Sequence, residues 1–405
     1  MLARYFIQPL AILTALMLIS PAALSQVDVG SLKSAVEGAW QRSPQARTLE
    51  ARRSEILAGQ QAAQSWMAGS PSLGLSEHSD RWTDQNGVRE TDVSLSIPIR
   101  LPAQKSALQT LARTSAGDLE AQIIHARLSI AGEVREHLWA VAAAQAVLSE
   151  TQDHQHHLEG LTAEIGRRVK AGELARTDGM LARQEVLAAE GAVANAQAKL
   201  YEVRTRYKVL TGQPDIPVPV PEPLAAEQTA PHPRLHSARG TLNRTQAAHS
   251  VVRATRNDPP TIGIAMRRER DGASGGSSRS VGLAVQIPFG NSVRNRPVEA
   301  AALTQIQTAA AEMAQAEATV QGDAELARQQ LAVSEKAQGV ATARAAVMRE
   351  HTQLIGKAFR LGERGLADLL RSEALSHEAE IAVRQQQVAV GLAHARLNQA
   401  LGVLP

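Results

Sequence analysis

Two short runs hold residue types that could do chemistry. In Asp153-His154-Gln155-His156-His157 the imidazoles of His154 and His157 stand three positions apart, and on a helix both could reach one ion. No carboxylate or further histidine is spaced along the chain to complete such a site. The run therefore reads as a polar, solvated stretch of a long helix, with no metal and no cofactor. Gly272-Ala273-Ser274-Gly275-Gly276 fits the pattern G-x-S-x-G, whose serine is a nucleophile only on a sharp turn between a buried strand and a helix. Polar and charged residues flank it here, which is the setting of a hairpin loop. No H-E-x-x-H, phosphate-binding loop or triad is present. Cysteine is absent (0 residues), which removes thiolate nucleophiles, thiolate metal sites, disulfides and lipid attachment at an N-terminal cysteine. The residues predict a protein that is not an enzyme.

The elements that would position these runs are more informative. Basic and acidic residues nearly balance, 43 against 40, with no basic stripe, so nucleic acid is not an expected partner. Aromatics make up only 2% while alanine and glutamine abound, which suits a long, thin helical object better than a compact globule. Residues 1–25 read as a secretory signal peptide: Arg4, then an apolar run from Leu10 to Ile19, then small residues before Gln26. Beyond Gln26 no apolar segment approaches the ~20 residues of a spanning helix, so any membrane crossing has to be made by strands.

The chain is written twice. Pro44, Pro71, Leu73-Gly74-Leu75 and Ile97-Pro98-Ile99 recur as Pro233, Pro260, Ile262-Gly263-Ile264 and Ile287-Pro288-Phe289, and Gly172, Asp178 and Gly212 recur as Gly362, Asp368 and Gly402. We expect a first repeat over 26–212, a proline-rich linker over 213–232 containing Pro214 to Pro223, and a second repeat over 233–405. Each repeat reads as a helix (to Pro71 and to Pro260), a β-hairpin (72–98 and 261–288) and a long helical hairpin (102–212 and 297–402), with Pro102 and Pro297 in the first helical turns. Two seams of three- and four-residue steps follow the strands, Leu119 to Leu148 and Leu303 to Leu331, and alanines in them permit close helix approach.

One such hairpin has two unpaired edges and cannot stand in lipid. Three chains would supply twelve strands and close them into a barrel that the long helices continue. Alternation then turns Val93, Leu95 and Ile97 toward lipid, and Leu283, Val285 and Ile287 likewise in the second copy, with Ser94 and Ser96 toward water. The only aromatics expected near the strands are Trp82 and Phe289, few for a membrane barrel.

The signal peptide, the duplication, the paired Ile-Pro strand ends and the Gly…Asp helical hairpins resemble the TolC family of outer-membrane efflux channels. The run Ile287 to Asn291 is similar to its cobalt–zinc–cadmium branch. The resemblance implies a mainly α fold with a small β part: a trimeric α-helical barrel in the periplasm continued by a 12-stranded β-barrel in the outer membrane. It implies a homotrimer acting as a passive duct, with outer-membrane lipid around it, a periplasmic adaptor (membrane fusion) protein and an inner-membrane RND-type pump as partners. Adaptor contacts would fall on the hairpin tips, at Arg168, Gly172 and Leu174 and at Arg360, Gly362, Gly365 and Leu366. Family channels narrow through acidic residues after the second tip. Asp368 matches the first of these, Arg371 occupies the second, and Asp178 is the repeat partner of Asp368. The bland reading of both aspartates is a residue capping helix-start amides. A multidrug or type I secretion channel is the alternative on the same architecture, and a periplasmic coiled-coil or adaptor protein the more distant one.

Overall fold

The computed structural model describes residues 31–224, 231–272, 275–289 and 292–405. The signal-peptide residues, Ser274 of the G-x-S-x-G run and the Gly290-Asn291 end of the branch motif lie outside them. In chain order the elements are α1 (Leu32–Arg42), α2 (Pro44–Gln64), β1 (Ser72–Ser79), β2 (Arg89–Pro98), α3 (Pro102–Lys170) and α4 (Arg176–Thr211). There follow α5 (Pro233–Ala254), β3 (Thr261–Arg270), β4 (Ser277–Gln286), α6 (Ser292–Arg360) and α7 (Leu366–Ala400). Helices α3 and α6 are each 69 residues long, about 100 Å at ~1.5 Å per residue. None of the described helices is long and apolar enough to cross a membrane.

The α3 seam behaves as its spacing dictates. All nine positions, from Leu119 through Ile130 and Val134 to Leu148, are buried, packed against α1, α2 and α4. The α6 seam differs: Ala316, Ala324, Ala327 and Leu331 are buried, but Leu303 and Ala310 are exposed. Within one chain α6 packs along α5 and α7 and meets α3 at the tip through Phe359, and much of its remaining surface is exposed.

Buried polar groups fasten the repeats together. Arg135, 2% exposed, makes two hydrogen bonds to the Glu222 carboxylate (2.8 and 2.7 Å) and others to Gln399 Oε1 and the Val403 carbonyl. This guanidinium joins α3 to the linker and to the end of α7. Asp118, also buried, accepts from Arg244 (2.8 Å) and Thr241 (3.0 Å) and so joins α3 to α5.

Several boundaries depart from the sequence reading. Helix α2 ends at Gln64, short of Pro71, because the Arg100 guanidinium takes the Ser65 carbonyl (3.0 Å) and Met67 bridges to Ile99. Helix α5 likewise stops at Ala254 rather than running to Pro260. Pro102 opens α3, but Pro297 lies inside α6, which begins five residues earlier at Ser292. Arg294 pairs with Asp258 (2.9 Å) and Asn295 donates to the Arg256 carbonyl (2.7 Å); these contacts offset the hydrogen bond that a proline cannot make. Strand β4 ends at Gln286, short of the expected hairpin end at 288, so Ile287 falls just beyond the sheet and is not a strand residue. Trp82 sits in a 3-10 turn and Phe289 beyond β4, so none of the four described strands contains an aromatic residue.

The four strands form one antiparallel sheet in the order β1-β2-β3-β4. Residues opposite one another share a face. Val93 pairs with Leu75 and Met266, Leu95 with Leu73 and Ile264, and Ile97 with Ile262; Val281, Leu283 and Val285 extend the same rows onto β4. The other face is small and polar, with Ser72, Gly74, Ser94, Ser96, Gly263 and Ala284. A Cβ at Gly74 would fall 2.6 Å from Ser94 Oγ, so any other residue there would force that hydroxyl to turn away. The outer edges of β1 and β4 have no strand partner among the described residues.

Candidate functional site

The helical tips are built by glycine. Gly172 (φ +82°) and Gly362 (φ +79°) adopt the left-handed conformation just past α3 and α6. In each case the following N–H closes back on the helix, Glu173 on the Arg168 carbonyl and Glu363 on the Ala358 carbonyl, both at 2.9 Å. The two tips share a core of Ile165, Val186, Phe359, Leu366 and Leu369, and the Arg168 guanidinium lies 5.1 Å from the Phe359 ring. Leu366, expected on the contact surface, is instead 3% exposed: it leads the first turn of α7 and that turn faces the shared core. Leu174 is half-buried against the same core, while Gly172, Arg360, Gly362 and Gly365 are exposed. Leu361 lies within the second tip but was not singled out as a contact residue, and it is a largely exposed apolar side chain. Its signal is a seven-residue spacing that starts at Leu326.

The two repeat-related aspartates have different surroundings. Asp178 Oδ2 accepts from the Ala175 N–H at 3.3 Å, a helix-start contact. Asp368 is exposed and its nearest cation is Arg364 (3.8 Å), one turn back on the tip, not Arg371. Arg371 is exposed on the same helix. Both members of the Arg364–Asp368 pair are open to solvent.

Above the tips α3 and α7 meet in a polar seam that the sequence did not reveal. The rings of His154 and His377 stack face to face, 3.9 Å between centroids and 3° from parallel. His157 Nε2 lies 3.1 Å from Glu373, and Glu150 lies near both His377 Nδ1 (3.8 Å) and Arg384 (3.7 Å). Burial, and then the neighbouring His377, push His154 down to about 4; burial also lowers His377. The hydrogen bond to Glu373 raises His157, while burial, then the nearby Glu380, raises Glu150. The further histidine and the carboxylates missing along the sequence are thus supplied across the seam. Even so, among the described residues no three such side chains are placed to hold a metal ion.

A sheet with one aliphatic face, joined to two antiparallel pairs of helices of this length, is the architecture of the TolC-type outer-membrane channels, and the resemblance read from the sequence holds. The structure resembles that of the outer membrane protein VceC of Vibrio cholerae (TM-score 0.71, 15% identity, 92% of this chain and 96% of that one). It also resembles that of CusC, whose crystal structures address the conformational changes accompanying folding and transmembrane channel formation (TM-score 0.72, 14% identity, 92% of each chain). In sequence, the chain is 26% identical over 219 residues to the cobalt-zinc-cadmium resistance protein CzcC of Cupriavidus metallidurans. That match spans about half of each protein, 51% of both. No family model matches the chain.

Proposed function

We propose that the chain assembles as a homotrimer into an outer-membrane channel. It serves as the passive exit duct of a tripartite efflux system whose cargo is heavy-metal cations. An inner-membrane RND-type pump and a periplasmic adaptor deliver that cargo at the helical tips. The two repeats, 26–212 and 233–405 with the linker 213–232 between them, then form equivalent segments of the channel wall.

The observation that carries this reading is the sheet. Its rows of aliphatic side chains are exposed on one face, serine and glycine occupy the other, and both edges are open. Such a sheet is unfit for water on its apolar face and unfit for lipid at its edges. Three copies supply twelve strands, and closure satisfies both demands at once. The apolar rows from Val93 to Ile97 rise about 14 Å at ~3.4 Å per residue, less than the ~25 Å of a typical membrane barrel. Membrane contact is therefore shallow and aliphatic, consistent with strands that lack aromatic girdles. The cargo follows from the likeness to CzcC, and an exposed Asp368 in each of three copies gives the entrance a cation-attracting ring.

Metal and drug susceptibility of a deletion strain, with and without the restored gene, tests this. Loss of cobalt, zinc or cadmium resistance, rescued by the gene, is the expected result. Unchanged metal tolerance with lost drug resistance would discard the cargo and keep the duct; no change in either would leave export of polypeptides as the better reading.

A further inference from the structure

The internal duplication fixes a second contact that one chain cannot make. Residues of α3 at Glu136, Glu150 and His157 meet residues of α7 at Arg396, Arg384 and His377, and Glu373. Trp139 packs over Gly391, where a Cβ would fall 2.0 Å from the ring. Because α6 repeats α3 and α4 repeats α7 at a 190-residue offset, each of these positions has a counterpart. Glu150 corresponds to Val340 and His157 to Val347; His377 corresponds to Leu187, Arg384 to Ala194 and Gly391 to Tyr201.

Those counterparts are uncovered. Leu326, Val333, Val340, Val347 and Leu354 recur at seven-residue steps down α6 and are 56–65% exposed. Met180, Leu187, Ala194 and Tyr201 recur at the same step up α4, and the three larger ones are 52–76% exposed. A seven-residue apolar repeat on an exposed helix face is the signature of a helix that packs against another helix. Helices α4 and α6 form the two outer sides of the helical layer, so their stripes cannot meet within one chain.

We infer that the α6 stripe of one copy packs antiparallel against the α4 stripe of the next, in the register that α3 and α7 already use. Transferring Glu150–His377 and Glu150–Arg384 by the offset sets Val340 between Leu187 and Ala194. The seven-residue steps then set Val347 between Met180 and Leu187, and Val333 between Ala194 and Tyr201. Transferring His157–Glu373 puts Val347 beside Arg183, on the flank where Glu350 also lies. Such a contact is head-to-tail, so a rotation that closes produces a ring. The inference rests on the ring proposed above but adds its seam, residue by residue.

The absence of native cysteine makes the test direct. The pairs Leu187→Cys with Val347→Cys and Ala194→Cys with Val340→Cys are introduced into the full chain, which is extracted from membranes in mild detergent and treated with a short thiol-to-thiol cross-linker. Both pairs are expected to convert most of the protein to covalent oligomers, and each single cysteine none. Leu187→Cys with Leu326→Cys is the off-register control, because Leu326 lies 14 residues from Val340, about 21 Å along the helix. Cross-linking of the control as efficient as that of the on-register pairs overturns the register. An oligomer by light scattering that neither on-register pair can link overturns the seam and leaves the ring standing. A chain that is monomeric by light scattering overturns the ring, and the seam with it.

Discussion

The α3–α7 seam and the proposed α6–α4 seam occupy equivalent places in the duplication and differ in chemistry. Between α3 and α7 the facing side chains are glutamates, histidines and arginines, held in one chain by its own connectivity. On α6 and α4 the counterparts of Glu136, Glu150, His157, His377 and Arg384 are Leu326, Val340, Val347, Leu187 and Ala194, with arginines, Arg183 and Arg206, where Glu373 and Arg396 stand. The intrachain seam is brought together by covalent linkage through 213–232 and by the buried Arg135–Glu222 pair, so it can carry polar groups that mainly fix register. A contact between copies has no tether and has to supply its own free energy, which burial of aliphatic surface does best.

The strongest way to break this comparison is to place charge on the apolar side. Val340→Asp is expected to abolish the oligomer, since a carboxylate buried between Leu187 and Ala194 would lack a partner, while the helical content of the chain is retained; native mass and circular dichroism read the two. Next in size is the anchor of the polar side. Arg135→Ala leaves Glu222 largely buried without its cation and is expected to cost about 3 kcal/mol of chain stability in denaturant unfolding.

Acid sharpens the contrast. His154 (about 4) and His377 lie below the ordinary histidine value of 6.5 in the folded chain, so the unfolded chain binds protons first as the pH falls. The stability that the neutral stack contributes is complete above 6.5 and is lost toward 4. His157, raised by Glu373, opposes this: its contribution is complete below 6.5 and fades as the pH rises through its folded value. Glu150, raised by burial, acts in the same sense as His157, its cost growing as the pH rises above 4.5. The net expectation is a melting temperature that drops between pH 6.5 and 4, with a shallower drop in His154→Gln. An α6–α4 seam centred on Val340, Val347, Leu187 and Ala194 would hold its oligomer over the same range.

The smallest effects separate the two aspartates. Asp178→Ala is expected to cost about 1 kcal/mol through its lost helix-start contact. Asp368→Ala, whose exposed pair with Arg364 contributes little, should leave stability within about 0.5 kcal/mol and instead change cation block in planar-bilayer recordings. Unchanged block would remove Asp368 from the pore.

Much of the fold was legible because its signals are local and periodic. The alternation of Val93, Leu95 and Ile97, the three-and-four stepping from Leu119 to Leu148 and the glycines at 172 and 362 each state a backbone geometry within a few residues. Helix ends were less legible: Pro71, Pro260 and Pro297 are sequence punctuation, yet Arg100, Arg294 and Asn295 placed the ends from elsewhere in the chain. The candidate site was legible only in outline. Asp178 and Asp368 share a place in the repeat, but only the structure gave one a backbone amide and the other an arginine.

By itself the sequence determined the elements, their duplication and the faces each would bury, because periodicity, proline and glycine act through the backbone. Only the tertiary structure decided that His154 meets His377, that Leu366 turns inward, and that the stripes on α6 and α4 remain bare. Those outcomes depend on which distant segments share a level along two helices of about 100 Å, a relation set by packing across the layer and written in no short stretch of residues.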